Sequence, residues 1–258
     1  SEDLNDIAFV GQRIRWVDKD KPNGYIKVDQ TVKVEELSEI VFDKSIRDEL
    51  LLPPDMHSRF RSLLGQINWL QSRTQYHACY EFSRCASAAA APNYGHLRQL
   101  NKLCRTIRAR PVCLKFYKLI GENRLVGYPD ASYRNNSDGS SQRGQTIFIC
   151  EQRKAGKVDT RGSMVDYESQ RIKRQTLSTT VAELYAFVKC YGTCQFLRGL
   201  WMDMTGQCAD IHMRTDANNL VTTASTTHLP DQKETVHMIQ MLRHEACSGN
   251  MHDLAHVV

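Results

Sequence analysis

The stretch Gly127-Tyr-Pro-Asp-Ala-Ser132 ends an apolar run with an aspartate, and the elements around it decide the fold of the C-terminal half. Residues 125–128 read as a strand, and two more strands are predicted at 143–150 and 162–170. A long helical stretch follows from 175 to about 204, and then an alternating strand at 209–215, two helices and a closing strand at 251–258. This order predicts an α/β domain with a mixed sheet.

Three acids occupy comparable places on these elements. Asp130 lies at the end of the first strand, and Asp216 follows the fourth strand in Arg214-Thr-Asp-Ala-Asn218. Glu183 lies in the first turns of the long helix, in Ser178-Thr-Thr-Val-Ala-Glu-Leu-Tyr-Ala186. If the two strands are neighbours, the aspartates converge at one edge of the sheet and the helix can bring Glu183 beside them. Grouped carboxylates repel one another unless cations are bound, and Mg²⁺ prefers oxygen ligands.

Each acid also has a purely structural interpretation. Thr180 and Glu183 fit a capping box at the start of a helix. Asp216 could cap the next helix at its N-terminus, and Asp130 could be a turn residue after a strand. The order of the three acids along the predicted elements favours a shared site.

The N-terminal half differs in charge and pattern. Its first fifty residues read as short strands and turns, and helical spacing of apolar residues then runs from 56 to about 110. Residues 51–124 hold 12 basic and 3 acidic residues, a net charge of +9. A basic stripe at helical spacing consists of Arg98, Lys102, Arg105 and Arg108. Such a stripe predicts a polyanionic partner, or alternatively a solvated helix face.

Read in order, these blocks resemble the Pol polyprotein of copia-type LTR retrotransposons. The Gly-Tyr-x-Asp-Ala, Ser-Thr-Thr-x-Ala-Glu-x-Tyr-Ala and Thr-Asp-x-Asn blocks are similar to its ribonuclease H domain. Upstream, Phe60-Arg-Ser-Leu-Leu-Gly-Gln-Ile-Asn-Trp-Leu70 resembles the segment that follows the polymerase palm, and Arg73-Thr-Gln-Tyr-His-Ala78 takes the place of "RPDIAYA".

The resemblance implies a ribonuclease H-like mixed five-stranded sheet with flanking helices at 118–258. A mostly helical thumb/connection remnant of the reverse transcriptase would precede it at 1–117. Asp130, Glu183 and Asp216 would bind two Mg²⁺ or Mn²⁺ ions and cut the RNA strand of an RNA/DNA hybrid. The polymerase palm of the same polyprotein would be a further partner, although no Tyr-x-Asp-Asp polymerase motif occurs in this sequence.

The hybrid would be held through its phosphates rather than its bases. Besides the basic stripe, the residues expected to contact it are Arg171, Lys173 and Arg174 before the long helix, and Lys233 by its place in the family pattern.

Several departures from the family pattern weigh on catalysis. Relatives carry a fourth acid in an Ala-Asp-x-x-Thr-Lys segment after the last strand, and this sequence reaches Val258 before such a segment. Asp138 and Asp253 are conceivable substitutes, and Pro129 is unusual in an inner strand. A catalytically inactive nucleic-acid-binding or scaffold protein derived from a retrotransposon is therefore the alternative. A DNA nuclease or integrase-like enzyme on the same fold is a third hypothesis.

The remaining signals concern the environment and the histidines. Nine irregularly spaced cysteines predict free thiols, hence a reducing intracellular setting, cytoplasmic or nuclear. No apolar run is long enough to span a membrane. One histidine near the scissile phosphate could move a proton, although a surface location is the expectation for the C-terminal set of His228, His237, His244, His252 and His256.

Overall fold

A computed structural model describes residues 5–136, 138–151, 161–226 and 233–257, and of Lys233 and Glu234 only the backbone. The chain divides into two compact units, Ser1–Lys115 and Phe116–Val258. The strands are β1 (Asp6–Phe9), β2 (Gln12–Val17), β3 (Tyr25–Asp29), β4 (Leu114–Tyr117), β5 (Asn123–Ser132), β6 (Gln142–Glu151), β7 (Gly162–Arg171), β8 (Asp210–Thr215) and β9 (Asp253–His256). The helices are α1 (Thr31–Glu35), α2 (Pro54–Gln71), α3 (Cys79–Ser87), α4 (Tyr94–Ala109), α5 (Thr179–Thr205), α6 (Asn218–Ser225) and α7 (Lys233–Cys247), with a 3₁₀ turn at Tyr76–Ala78.

In the first unit, the helical pattern predicted from 56 to about 110 is confirmed by α2, α3 and α4. Strands β1, β2 and β3 form an antiparallel meander, of which β2 was not predicted. Helix α2 begins at the proline pair, where a missing N–H costs no helical hydrogen bond. The apolar stripes of α2 and α4 are buried and form one core with Val34 and Leu37.

Helix α4 has a well-defined start. The Asn93 side chain accepts a hydrogen bond from the His96 backbone N–H at 2.9 Å, and the Asn93 N–H donates to His96 Nδ1 at 3.1 Å. This reciprocal cap explains why the Pro92-Asn93 turn separates two helices.

The second unit contains a five-stranded mixed sheet of order β7-β6-β5-β8-β9. The β5/β6 and β6/β7 pairs are antiparallel, whereas β5/β8 and β8/β9 are parallel. Helix α5 packs on the sheet through buried apolar side chains that include Leu184, Phe187 and Tyr191. The predicted mixed five-stranded sheet with flanking helices is confirmed.

Gly127 lets α5 approach the central strand closely. A Cβ at this position would lie 2.9 Å from Cys190 Sγ and 3.0 Å from both Cys194 Sγ and Met213 Sδ. Only a glycine fits there without displacing those sulfurs. The contact fixes the distance between α5 and the strand that carries Asp130.

Pro129 is compatible with its strand because of where the parallel pairing stops. β5 pairs with β8 only from Arg124 to Gly127. Pro129 lies beyond that ladder, so its missing N–H interrupts no bond to β8.

Two further predictions concern the chain as a whole. Among the described residues, no helix combines the length and apolar character needed to cross a bilayer. No disulfide joins any of the nine cysteines, all of which lie in described segments.

Candidate metal centre

The parallel pairing of β5 with β8 places two aspartates at one edge of the sheet. Asp130 lies near the end of β5, and Asp216 follows the last residue of β8. Glu183 reaches the same point from α5. Each of these three side chains offers a ligand atom, and the three atoms all lie within 4.8 Å of one another. The structure therefore brings together the three acids that the sequence singled out.

The structural interpretations of these acids are wrong. Ser178, not Thr180, caps α5, because its hydroxyl accepts from the Val181 N–H at 3.3 Å. Glu183 thus lies beyond the first turn and takes no part in capping. The residue before α6 is Ala217, and no side chain caps that helix.

Asp130 is not a turn residue either. It lies inside β5, opposite Gly144 of β6. None of the three acids is therefore a helix cap or a turn residue.

The electrostatics of the cluster are unfavourable without a cation. Glu183 is 9% exposed, whereas Asp130 and Asp216 are exposed. Burial, followed by the charges of Asp130 and Asp216, raises the pKa of Glu183 to about 7. Burial and the Asp216 charge also raise the pKa of Asp130. The site resists holding three negative charges at neutral pH.

The donor set fits hard divalent ions. Three carboxylates supply only oxygen ligands, as Mg²⁺ and Mn²⁺ prefer. The exposed aspartates leave the outer side of the cluster open to solvent and to a phosphate group. Glu183 lies beneath them, where burial holds its orientation.

Two contacts near the cluster escaped the sequence-based prediction. Asn219 Nδ2 donates to Thr180 Oγ1 at 2.8 Å and joins α6 to the start of α5. His256 Nε2 lies 3.1 Å from the backbone carbonyl oxygen of Asp216. Both pairs are distant in sequence, so no local pattern could have indicated them.

Neither conceivable fourth acid joins the cluster. Asp138 pairs with Arg171 at 2.6 Å, and Asp253 pairs with Arg214 at 2.5 Å. Each is held by an arginine instead of facing the other carboxylates. Within the described segments, the metal-ligand group has three members.

The basic stripe of α4 is divided between internal and exposed roles. The Arg98 guanidinium donates to the carbonyl oxygens of Lys44 and Ile46 at 2.7 and 2.8 Å, and lies 2.9 Å from Asp48. Arg105 forms an ion pair with Glu39. Lys102 and Arg108 are exposed.

The residues expected to contact the hybrid in the second unit lie mainly between β7 and α5. Lys173 and Arg174 are exposed in that connection, and Arg171 ends β7 while paired with Asp138. Lys233 begins α7, but its side chain lies outside the described part.

Of the histidines, only His256 contacts a residue of the cluster among those described. His237 and His244 are exposed on α7, as expected for surface residues. His252 accepts from the Ile211 N–H at 3.2 Å, and its Nε2 lies 3.0 Å from Asp210. His228 lies outside the described residues.

No model of a protein family and no curated protein matches this chain. Among solved structures, LC11-RNase H1 from compost, in complex with an RNA/DNA hybrid, is 16% identical over 52% of this chain and 83% of that chain, with a TM-score of 0.34. RNase H1 of the halophilic archaeon Halobacterium salinarum is 19% identical over 52% of this chain and 85% of its own, with a TM-score of 0.35.

A longer similarity involves a viral protein. The foamy viral protease-reverse transcriptase, in complex with dsDNA, is 12% identical over 98% of this chain and 45% of its own length, with a TM-score of 0.30. Fold and site together define an α/β domain with a mixed five-stranded sheet and an acidic cluster at one edge of that sheet.

Proposed function

We propose that this chain is a metal-dependent ribonuclease H that hydrolyses the RNA strand of an RNA/DNA hybrid. One observation carries the proposal: Asp130, Glu183 and Asp216 offer three oxygen ligands within 4.8 Å of one another, from three separate elements. The raised pKa of Glu183 supports it, because burial and then the charges of Asp130 and Asp216 disfavour a third carboxylate there, and bound cations would offset this cost.

The chain's own residues would have distinct tasks. Asp130 and Asp216 would bind the ions at the open side, and Glu183 would complete the site from below. Two bound ions would activate the attacking water and stabilise the leaving oxygen of the phosphodiester. Lys173 and Arg174, both exposed, would contact phosphates of the hybrid without reading bases.

We further propose an origin in a copia-type retrotransposon polyprotein, on the strength of the sequence blocks described above. The first unit would then be a thumb and connection remnant, and the polymerase palm its natural neighbour. The exposed Lys102 and Arg108 would add phosphate contacts from α4.

Cleavage of an end-labelled RNA/DNA hybrid tests the proposed activity. We expect cutting of the RNA strand alone in Mg²⁺ or Mn²⁺, and none in chelator. Asp130→Asn should reduce the rate by more than the roughly 10–100-fold typical of outer-shell partners of a metal site. Asp203→Asn is the matched control, because Asp203 is an exposed acid at the far end of α5 and should leave the rate unchanged.

The inactive alternative has one observation in its favour, the three-membered cluster without a fourth acid in the described residues. Hybrid binding without cutting in either metal would establish it in place of the enzyme. Cutting that persists in Asp130→Asn would show that the cluster is not the catalytic site.

A further inference from the structure

Three sulfur atoms converge on one point in the core of the second unit. They belong to Cys190 and Cys194 of α5 and to Met213 of β8. A Cβ added to Gly127 of β5 would lie 2.9 Å from Cys190 Sγ and 3.0 Å from each of the other two sulfurs. The three atoms therefore surround a single point, and no two of them are separated by more than twice 3.0 Å.

The two cysteines are in direct contact with each other. Cys190 and Cys194 are four residues apart on α5, so their side chains lie one turn apart on the same face of the helix. A hydrogen bond with Cys194, followed by burial, raises the pKa of Cys190 well above its usual value. Cys190 is therefore a thiol at neutral pH, and a metal ion that binds it has to displace the proton.

The distances around this point are too short for a methyl group but suit a bonded ion. Carbon atoms that are not bonded to each other pack at roughly 3.5–4.0 Å, whereas the sulfurs lie only 2.9–3.0 Å from the point. A bond from a metal to a thiolate is shorter still, roughly 2.3 Å in zinc sites. An ion on the sulfur side of the point can therefore bond to all three sulfurs after small side-chain rotations.

The three donors select a soft ion. Thiolate and thioether sulfurs favour Cu(I) over hard cations such as Mg²⁺. Structural zinc sites take four ligands, one more than this group of sulfurs offers. Cys190, Cys194 and Met213 are fully buried among the apolar side chains that pack α5 on the sheet, where water does not compete for the ion.

The sulfur group lies between the elements that carry the acidic cluster, but apart from the cluster itself. Cys190 follows Glu183 by seven residues of α5, a rise of about 10 Å along the helix. Met213 points into the core from β8, whereas Asp216 follows the end of that strand. An ion bound to the sulfurs would cross-link α5 to β8.

We propose that Cys190, Cys194 and Met213 bind one Cu(I) ion between α5 and the sheet. Both thiols release their protons on binding, so two thiolates and the Met213 thioether form a three-sulfur site. Because these sulfurs are buried, the ion enters while the chain folds or when α5 moves away from the sheet. The site differs from the acidic cluster in its ligands and in the class of metal it binds.

Competition for Cu(I) with the chelator bathocuproine disulfonate, under anaerobic conditions, tests this proposal. Every protein carries Cys113→Ser, Cys208→Ser and Cys247→Ser, which remove the cysteines that are not buried, and is refolded with the Cu(I)–chelator complex. We expect one Cu(I) per chain, with X-ray absorption showing three sulfurs at roughly 2.3 Å. Because two protons are displaced, the apparent affinity should rise by about a hundredfold per pH unit near neutral pH.

Single substitutions identify the ligands. Cys190→Ala should weaken Cu(I) binding by more than about a hundredfold, since loss of outer-shell partners alone costs 10–100-fold. Cys150→Ala is the matched control, because Cys150 is a buried cysteine on β6 of the same sheet and should leave the affinity unchanged. Met213→Leu conserves the volume and removes the thioether, so binding should be roughly tenfold weaker, with two sulfurs bound.

Three outcomes would overturn the proposal. They are the loss of all Cu(I) to the chelator, equal weakening by Cys190→Ala and Cys150→Ala, and three sulfurs still bound to copper in Met213→Leu. Circular dichroism shows whether each variant is folded, and Met213→Leu keeps the test decisive if Cys190→Ala does not fold. None of these measurements involves hybrid cleavage, so the two proposals can fail separately.

Discussion

The acidic cluster and the basic helix α4 use charge in opposite ways. In the cluster, three carboxylates lie within 4.8 Å of one another, and the pKa of Glu183 rises to about 7 because of burial and its two neighbours. On α4, by contrast, Arg98 lies 2.9 Å from Asp48 and Arg105 pairs with Glu39. The first arrangement stores repulsion that a cation can relieve, whereas the second is largely neutralised within the protein.

The difference shows that the fold holds one group of charges together against repulsion and pairs the other with opposite charges. The acids stay together because the β5/β8 ladder and the close packing of α5 at Gly127 leave them little alternative. Such unfavourable groupings are typical of functional sites. Arg98 and Arg105, in contrast, attach the irregular segment 39–48 to a helix, which is a structural task.

The largest expected effect comes from Glu183→Gln, which keeps the side-chain size and removes the charge. We expect hybrid cleavage to fall by more than about a hundredfold, since loss of outer-shell partners alone costs 10–100-fold. Glu39→Gln removes an acid that is already paired and should cut at the normal rate. Equal cleavage rates for the two variants, measured with the labelled hybrid, would show that Glu183 contributes no more to catalysis than Glu39.

A second effect concerns stability against pH in the presence of EDTA. Because the pKa of Glu183 in the folded protein is raised to about 7, its contribution to stability is fully present below its unfolded value. That contribution is lost as the pH rises through about 7. We expect the loss of this contribution to lower the free energy of unfolding by up to roughly 3 kcal/mol between pH 4 and pH 8.

The comparison with Glu183→Gln isolates this contribution. Urea unfolding at each pH should give a flatter profile for the variant, which cannot ionise at position 183. Mg²⁺ should restore stability to the unmodified protein at pH 8, because it binds only the folded state. Parallel pH profiles for the two proteins would show that the cluster stores no repulsion.

Gly127→Ala tests the packing that holds the acids together. The added Cβ would meet three sulfur atoms at 2.9–3.0 Å, and we expect a loss of about 1–3 kcal/mol in the free energy of unfolding. Gly192→Ala on α5 is the control, because nothing lies within 4 Å of its added Cβ and alanine favours a helix. Unfolding followed by Trp201 fluorescence, with Trp16 and Trp69 replaced by Phe, reports on the second unit.

How much could be predicted from the sequence differs between the two regions. Strand order and the end positions of Asp130 and Asp216 were enough to predict their convergence, because neighbouring parallel strands end at one edge of a sheet. The interpretation of Thr180 as a helix cap failed, because Ser178 offered an equally good hydroxyl two residues earlier. Capping residues compete locally, and sequence alone does not decide between them.

The basic stripe on α4 shows what residue spacing cannot predict. Its spacing correctly indicated one face of a helix, but spacing contains no information about partners. Asp48 and Glu39 lie at least fifty residues before Arg98 and Arg105 in an irregular segment, where no periodicity reveals their approach.

The smallest effects separate the members of that stripe. Arg98→Met removes hydrogen bonds to two carbonyls and a stacking contact with the Phe42 ring, and should cost about 1–2 kcal/mol. Arg105→Met removes one exposed ion pair and should cost less than about 1 kcal/mol. Hydrogen exchange along α4 measures both losses.

Hybrid affinity against salt then shows whether any stripe residue contacts phosphate. Lys102→Met should reduce the slope of log affinity against log salt by roughly one, the loss of one phosphate contact. Arg98→Met should leave the slope unchanged, because that guanidinium is occupied by the segment 44–48. A reduced slope for Arg98→Met would mean that Arg98 exchanges its internal partners for phosphate. The statement that the charge of α4 is largely neutralised within the protein would then be wrong for Arg98.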